Sequence, residues 1–316
     1  MESAIRYMGP GNPEFNEFEA TEPENGCIGI RIIASSLCNS SELRSFRGGY
    51  EKGYGSGYPM ENGEPGHEAV GSVVSIGKNA TGFSMGDHVV MTGHGGEPCH
   101  RSYVNRNQND IARIFPDERD PAEAAIMEMY GCAYHCAMTP LSKNEYAGKK
   151  VLVIGMGAMG LCTVQILAGI GDVNVSAMDI DAGRLSKALE SGAGKVLLSH
   201  EADQSLEADI VLECSGSIKG QQLAYAIAPR ILIFSSYNTN EIKIRQDRLF
   251  DANTTIYNPG ILESESLNAV AELYNSNRIR PDILVEKRIK PDKHEYLDAI
   301  KGIIAGKFIK VLIDWS

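Results

Sequence analysis

The segment from Val151 to Gly171 limits the possible folds of this chain more than any other. It carries no charged side chain and is about the ~20 residues that a membrane-spanning helix needs. It also contains Gly155, Gly157, Gly160, Gly169 and Gly171, and it opens on Val151-Leu152-Val153-Ile154, an apolar, mostly β-branched run that stops at glycine. A buried strand, a tight turn and a helix account for that punctuation better than a membrane span does. The turn reads Gly155-Met156-Gly157-Ala158-Met159-Gly160, a GxGxxG pattern. In a chain with 33 glycines the pattern alone is a weak signal. Its context strengthens it: a strand precedes it, and an amphipathic segment with Leu161, Val164, Leu167 and Ile170 follows. The first glycine makes the turn, the second lets the backbone approach a pyrophosphate, and the third allows close helix–strand packing. The phosphates then sit at a helix N-terminus, where free N–H groups favour anions.

A dinucleotide site of this kind places an acidic residue about 20 residues further on. Asp179 ends the run Val173–Met178 and fits that place. Its carboxylate would accept from the ribose hydroxyls and repel a 2′-phosphate, which predicts NAD over NADP. Asp181 is a rival two residues on. Arg184 is placed either to lie over the adenine ribose or to weaken the exclusion of NADP.

The 316 residues suggest two domains. The first third reads as strands at 28–34, 69–76 and 87–91, punctuated by Gly and Pro. Residues 48–66 hold seven glycines and two prolines, a long loop of the kind that often carries function. From Pro121 the texture changes. A helix is predicted at 121–136, then strands at 150–154, 173–178, 195–198, 210–213 and 231–235 alternate with helices at 159–170, 182–191 and 220–228. That alternation argues for a parallel sheet covered on both faces. Helices at 263–275 and 292–306 and a strand at 309–313 follow.

Thirty basic and 41 acidic residues leave a net charge of −11, and no basic patch stands out. Such a chain repels phosphate backbones, so nucleic acid is not expected as a partner. The seven cysteines are spread out and contain no CxxC, which points to a reducing cytoplasm. Met1–Arg6 shows no signal-peptide pattern, and no membrane partner is expected.

His67, in Gly66-His67-Glu68-Ala69-Val70-Gly71, stands where the glycine-rich loop becomes a strand. A lone histidine there is usually structural. Cys38, at the end of an earlier strand, supplies a second donor, and thiolate with imidazole is a good zinc pair. Cys38-Asn39-Ser40-Ser41-Glu42-Leu43, GHEAVG, Gly86-Asp87-His88-Val89 and GxGxxG with Asp179 follow in order. Together they resemble the zinc-dependent medium-chain dehydrogenase/reductase family, the alcohol, polyol and threonine dehydrogenases. The resemblance covers nearly the whole chain, including Ser264 to Val311.

It implies an α/β architecture. A GroES-like β-barrel catalytic domain would take 1–135 and 261–316, and a doubly wound Rossmann domain 136–260. It implies an oxidoreductase that moves hydride between an alcohol or ketone and NAD, with Cys38 and His67 as zinc ligands. Ile126–His135 resembles the polyol-type segment in which Glu leads and His follows seven residues later, so Glu128 takes the third ligand position, with Cys132 as rival. Glu68 corresponds to a carboxylate beside the metal. Ser40 or Ser41 corresponds to the proton-relaying hydroxyl.

The usual C-x-[ST]-D pattern is altered here, and Glu42 is offered as a replacement support for the site. The family's four-cysteine structural lobe is absent, since only Cys99 lies between His88 and Met127. One zinc per chain is therefore expected. Cys132 and Cys136 are expected as packing residues, and His94, His100, His200 and His294 as surface or structural ones. The family also implies a homo-oligomer. A zinc-free quinone or enoyl reductase of the same fold, or a non-catalytic NAD-binding protein, are the alternatives.

Overall fold

The computed structural model describes residues 1–49, 57–94, 96–201, 206–236, 241–260 and 262–316. The middle of the glycine-rich loop 48–66 and residue 261, an expected domain boundary, lie outside the described residues. The chain forms two compact units: Met1–Glu128 with Leu267–Asn275 and Leu284–Ser316, and Met129–Ser266 with Ser276–Ile283. The contact boundary thus falls at Glu128, short of 135. The return of Ser276–Ile283 to the second unit is not anticipated by the sequence. It follows from Gln165, which bonds the Arg280 amide through Oε1 (2.7 Å) and the Arg280 carbonyl through Nε2 (3.1 Å).

In the first unit, β1 (Glu2–Gly9) and β2 (Asn12–Phe18) form an antiparallel hairpin. Then come β3 (Cys27–Ser36), α1 (Asn39–Arg47), β4 (Glu68–Ile76), β5 (His88–Met91), β6 (Tyr103–Asn107) and β7 (Ile111–Ile114). The expected helix at 121–136 starts instead as a 3-10 turn over Pro121–Ile126, capped by Asp120, and becomes α2 (Met127–Met138). Next in the chain are α3 (Lys143–Tyr146), β8 (Lys150–Ile154), α4 (Ala158–Ile170), β9 (Asn174–Asp179), α5 (Ala182–Glu190), β10 (Lys195–Leu198) and β11 (Ile210–Glu213). The last elements are α6 (Ile218–Ile227), β12 (Ile231–Phe234), α7 (Gln246–Asp251), β13 (Thr255–Tyr257), α8 (Ser264–Asn275), β14 (Val285–Ile289), α9 (Lys293–Ile304) and β15 (Lys310–Asp314).

Among the described residues the first unit's main sheet runs β14-β15-β3-β4-β5-β7, and β6 joins β3. One edge of β3 is shared, its first half pairing with β6 and its last three residues with β15. The sheet encloses a core of Ile28, Ile30, Ile32, Val73, Val89 and Val104. A second core, with Leu37, Tyr296, Ile300 and Val311, lies where α9 packs. Burial of each such side chain contributes roughly 1.5–3 kcal/mol, an upper bound against a compact unfolded chain.

The second unit's sheet is parallel throughout, in the order β10-β9-β8-β11-β12-β13. This is the doubly wound arrangement expected from the strand–helix alternation, with the strand order reversing between β8 and β11. The expected amphipathic pattern of α4 is corrected: the helix is buried on nearly every face, with Thr163 and Gln165 buried beside Leu161, Val164 and Leu167. No helix among the described residues is long and apolar enough to cross a membrane.

Candidate active site

In the first unit the close pairing of β3 and β4 brings two chemistry-bearing residues together. Ser36, at the end of β3, is registered opposite Glu68, at the start of β4. Cys38 lies two residues after the end of β3 as the N-cap of α1, and His67 precedes Glu68. Ligand atoms of Cys38, His67 and Glu68 lie within 4.8 Å of one another. The His67 Nδ1 is 2.9 Å from the Pro65 carbonyl, which leaves Nε2 available as a ligand. Burial alone would push the Cys38 thiol up, but the imidazole beside it outweighs that and lowers it. Burial likewise disfavours a charged His67. Cys38, Glu128 and Glu68 outweigh this and raise its pKa well above the usual histidine range. The cluster therefore has excess negative charge and attracts a cation.

Glu128, near the start of α2, approaches from another side. A Cβ added at Gly93 would lie 3.0 Å from Glu128 Oε1 and 3.5 Å from His67 Cδ2, so the two side chains flank Gly93. The carboxylate grouped with both Cys38 and His67 within 4.8 Å is nevertheless Glu68. Both its oxygens are 2.6 Å from Lys310 Nζ, and both residues are fully buried. Lys310 also donates to the Leu37 carbonyl at 3.3 Å. Cys132 is half-buried one helical turn beyond Glu128, outside this donor group. Ser40 is exposed and Ser41 half-buried on the first turn of α1. A buried thiolate, an imidazole and carboxylates with a fixed outer partner fit zinc.

Glu42, expected to support the site, touches neither the Cys38 nor the His67 side chain directly. Its carboxylate bonds His100 and Tyr296, because the first turn of α1 aims it there, and the His67 ring relies on Pro65. His100 is fully buried, as a structural histidine would be.

In the second unit, the GxGxxG turn lies at the carboxyl end of β8, beside the switch point. Gly155 has φ +92°, and a Cβ there would come 2.5 Å from the Ser215 backbone. A Cβ on Gly160 would sit 1.8 Å from the Gly155 carbonyl oxygen, so only glycine lets α4 start here. Met156, Ala158 and Met159 complete the turn, and Gly157 is the N-cap of α4. A cavity of about 450 Å³ opens over it, lined by Gly155, Gly157, Asp179, Arg184, Ser215 and Lys219 among others. Asp179 Oδ2 accepts from the Met156 amide at 2.5 Å, and Oδ1 from the Asp181 amide at 2.9 Å. Asp181 caps α5, accepting from Gly183 and Arg184 amides. His200, expected to be a surface or structural residue, is exposed and lines this cavity. A cavity of about 490 Å³ with Lys150, Asn174 and Lys195 lies at the opposite ends of the strands, where α/β sheets do not place ligands.

Two residues escaped the sequence reading. Lys310 gave no signal beyond being a lysine in an otherwise apolar strand. Glu213 ends the apolar run Ile210–Leu212 and accepts from the Ser215 amide at 2.9 Å and the Ser236 hydroxyl at 2.5 Å.

The alcohol dehydrogenase GroES-like domain model matches residues 24–131. A sorbitol dehydrogenase from Halalkalibacterium halodurans is 24% identical over 96% of this chain and 96% of its own. An L-threonine 3-dehydrogenase from Xanthomonas euvesicatoria pv. vesicatoria is 30% identical over 48% of this chain and 53% of its own. Among solved structures, the 2R,3R-butanediol dehydrogenase from Bacillus subtilis superposes with a TM-score of 0.82 at 20% identity, covering 99% of each chain. That last likeness is one of fold.

Proposed function

Because the chain belongs to the zinc-dependent medium-chain dehydrogenase/reductase family, we propose that it holds one zinc ion at Cys38, His67 and Glu128 and moves hydride between an alcohol, or its ketone, and NAD. It is an alcohol- or polyol-type oxidoreductase, and it uses zinc with a nicotinamide dinucleotide. The observation that carries the proposal is the convergence of Cys38 and His67 with two carboxylates, one already neutralised. Lys310 offsets Glu68, so Cys38 and Glu128 remain as two anions against a divalent cation.

Zinc held by Cys38, His67 and Glu128 would supply a Lewis acid toward a substrate hydroxyl, and a nicotinamide dinucleotide held by Gly155–Gly160 and Asp179 would supply the hydride acceptor. Ser40 is the better-exposed of the two hydroxyls that could pass the released proton to water, with Ser41 half-buried behind it. Gly155–Gly160 hold the pyrophosphate, and Asp179 holds the adenine ribose, with Arg184 beside it. The first unit is read as the GroES-like catalytic domain and the second as the Rossmann domain. Among the described residues β13 is an edge strand. Ile256 on it is 38% exposed and Phe250 on α7 is 82% exposed, which supports pairing with a second copy. Seven free cysteines fit a reducing cytoplasm.

The test is a screen of secondary alcohols, polyols, hydroxy amino acids and their ketones with NAD and NADP, alongside metal analysis. About one zinc per chain is expected, as a single site requires. NAD should be preferred, and Asp179→Ser should narrow that preference. Full activity after zinc removal would replace the proposal with a zinc-free reductase. No redox activity with both sites filled would make the chain a binding protein.

A further inference from the structure

Glu42 lies in the first turn of α1, four residues after Cys38, and its amide donates to the Cys38 carbonyl at 2.9 Å. Its carboxylate is fully buried. Oε1 is 2.6 Å from His100 Nε2, and Oε2 accepts from the Tyr296 hydroxyl. A buried carboxylate persists only with such partners. His100 is fully buried as well, and its Nδ1 is 2.9 Å from Ser35 Oγ. That hydroxyl accepts from Trp315 Nε1 at 2.9 Å. The Glu42 carboxylate can only accept, so His100 Nε2–H donates to it, and Nδ1 faces the Ser35 hydroxyl. The chain of hydrogen bonds thus fixes the orientation of the His100 ring.

His100 also touches the loop that carries the second donor. Its amide donates to the Gly63 carbonyl at 3.1 Å, and the Cys99 amide donates to the Gly66 carbonyl at 2.7 Å. A Cβ on Gly66 would lie 2.4 Å from His100 Cγ, so the ring packs directly against the backbone that precedes His67. One side chain therefore contacts both segments that carry donors: the first turn of α1, through Glu42, and the 63–66 loop. The His67 ring is steadied at Nδ1 by the Pro65 carbonyl.

We infer that His100, held by Glu42 and Ser35, is a positioning residue that sets the separation of Cys38 and His67. This rests on the reading of those two residues as zinc ligands. The probe is Co(II) in place of zinc, because the thiolate–Co(II) charge-transfer band and the d–d bands report the donors and their geometry. The double variant Glu42→Met/His100→Phe removes both partners and leaves no buried charge unpaired. It should melt close to wild type and bind NAD normally. Its d–d bands should shift, and it should release metal to a chelator about 10-fold faster or more. His100→Gln keeps a donor toward Glu42 and should fall in between. If the double variant does not fold, His100→Gln is judged by the same two measurements. Unshifted bands with unchanged metal release overturn the positioning role and leave the zinc reading standing. Absence of a thiolate–Co(II) band in the wild type overturns both.

Discussion

Glu68 lies next to His67 in sequence and within ligand distance of it, yet both its oxygens are bonded to Lys310. Glu128 lies further along the chain, and its charge acts on His67. Glu128→Ala should therefore weaken zinc binding and reduce turnover strongly, whereas Cys132→Ala should change little. Lys310→Met should leave Glu68 unpaired and destabilise the metal-free protein by about 3–5 kcal/mol, the usual cost of an uncompensated buried charge. The measurement is zinc occupancy after mild chelation. Loss of zinc in Cys132→Ala with retention in Glu128→Ala would make the cysteine the third ligand. Cys38 and His67 were legible as candidates because their donor chemistry and flanking motifs are local. Lys310 was not, because its contact with Glu68 joins residues 242 positions apart. Glu42 follows Cys38 closely in sequence, but one helical turn aims its carboxylate at His100 and Tyr296, which the sequence alone does not show.

Elements with a strict local demand were the easiest to read. GxGxxG requires a turn and a close helix approach that few other residues satisfy, so β8, the turn and α4 were found. The all-round burial of α4 was missed, because its polar Thr163 and Gln165 imitate a solvent face. The hairpin β1–β2 was missed as well, since Arg6, Glu14 and Glu17 interrupt any apolar alternation. The helix α9 offers a test at this scale, because it carries Tyr296, a donor to Glu42. Its N-cap, Asp292, accepts from the amides of His294 (2.8 Å) and Glu295 (3.0 Å). The Glu295 amide is the main cause that holds the Asp292 carboxyl below its ordinary value of 3.8. A depressed carboxyl stabilises the fold above its unfolded pKa, and that contribution is lost as pH falls through the native value. Asp292→Ala should therefore melt lower than wild type at neutral pH, and the gap should close in acid. Thermal scans from pH 7 down to about 2.5, below the unfolded pKa, check this. A gap that does not depend on pH would show that the carboxylate is not the cap.

The assignment of zinc to one unit and dinucleotide to the other predicts where each ligand protects the backbone. Hydrogen exchange should slow at amides 155–161 when NAD binds. Chelation should speed exchange at 38–47 and 66–70 while sparing β8 and α4. Equal loss of protection in β8 and α4 on chelation would place the metal elsewhere. The doubly wound sheet was legible as an ordered alternation of strands and helices. The return of Ser276–Ile283 to the second unit was not, since it depends on the side chain of Gln165 bonding the Arg280 backbone.

The pairing of β15 with β3 also bears on biosynthesis. At 5–20 residues per second, the ribosome makes Lys310 about 10 to 50 s after Glu68. Throughout that interval part of one edge of β3 has no partner, and Glu68 has no cation. Cys38, His67 and Glu68 are thus all made before the lysine that pairs with Glu68. Only translation of the closing strand brings the cation that offsets this charge.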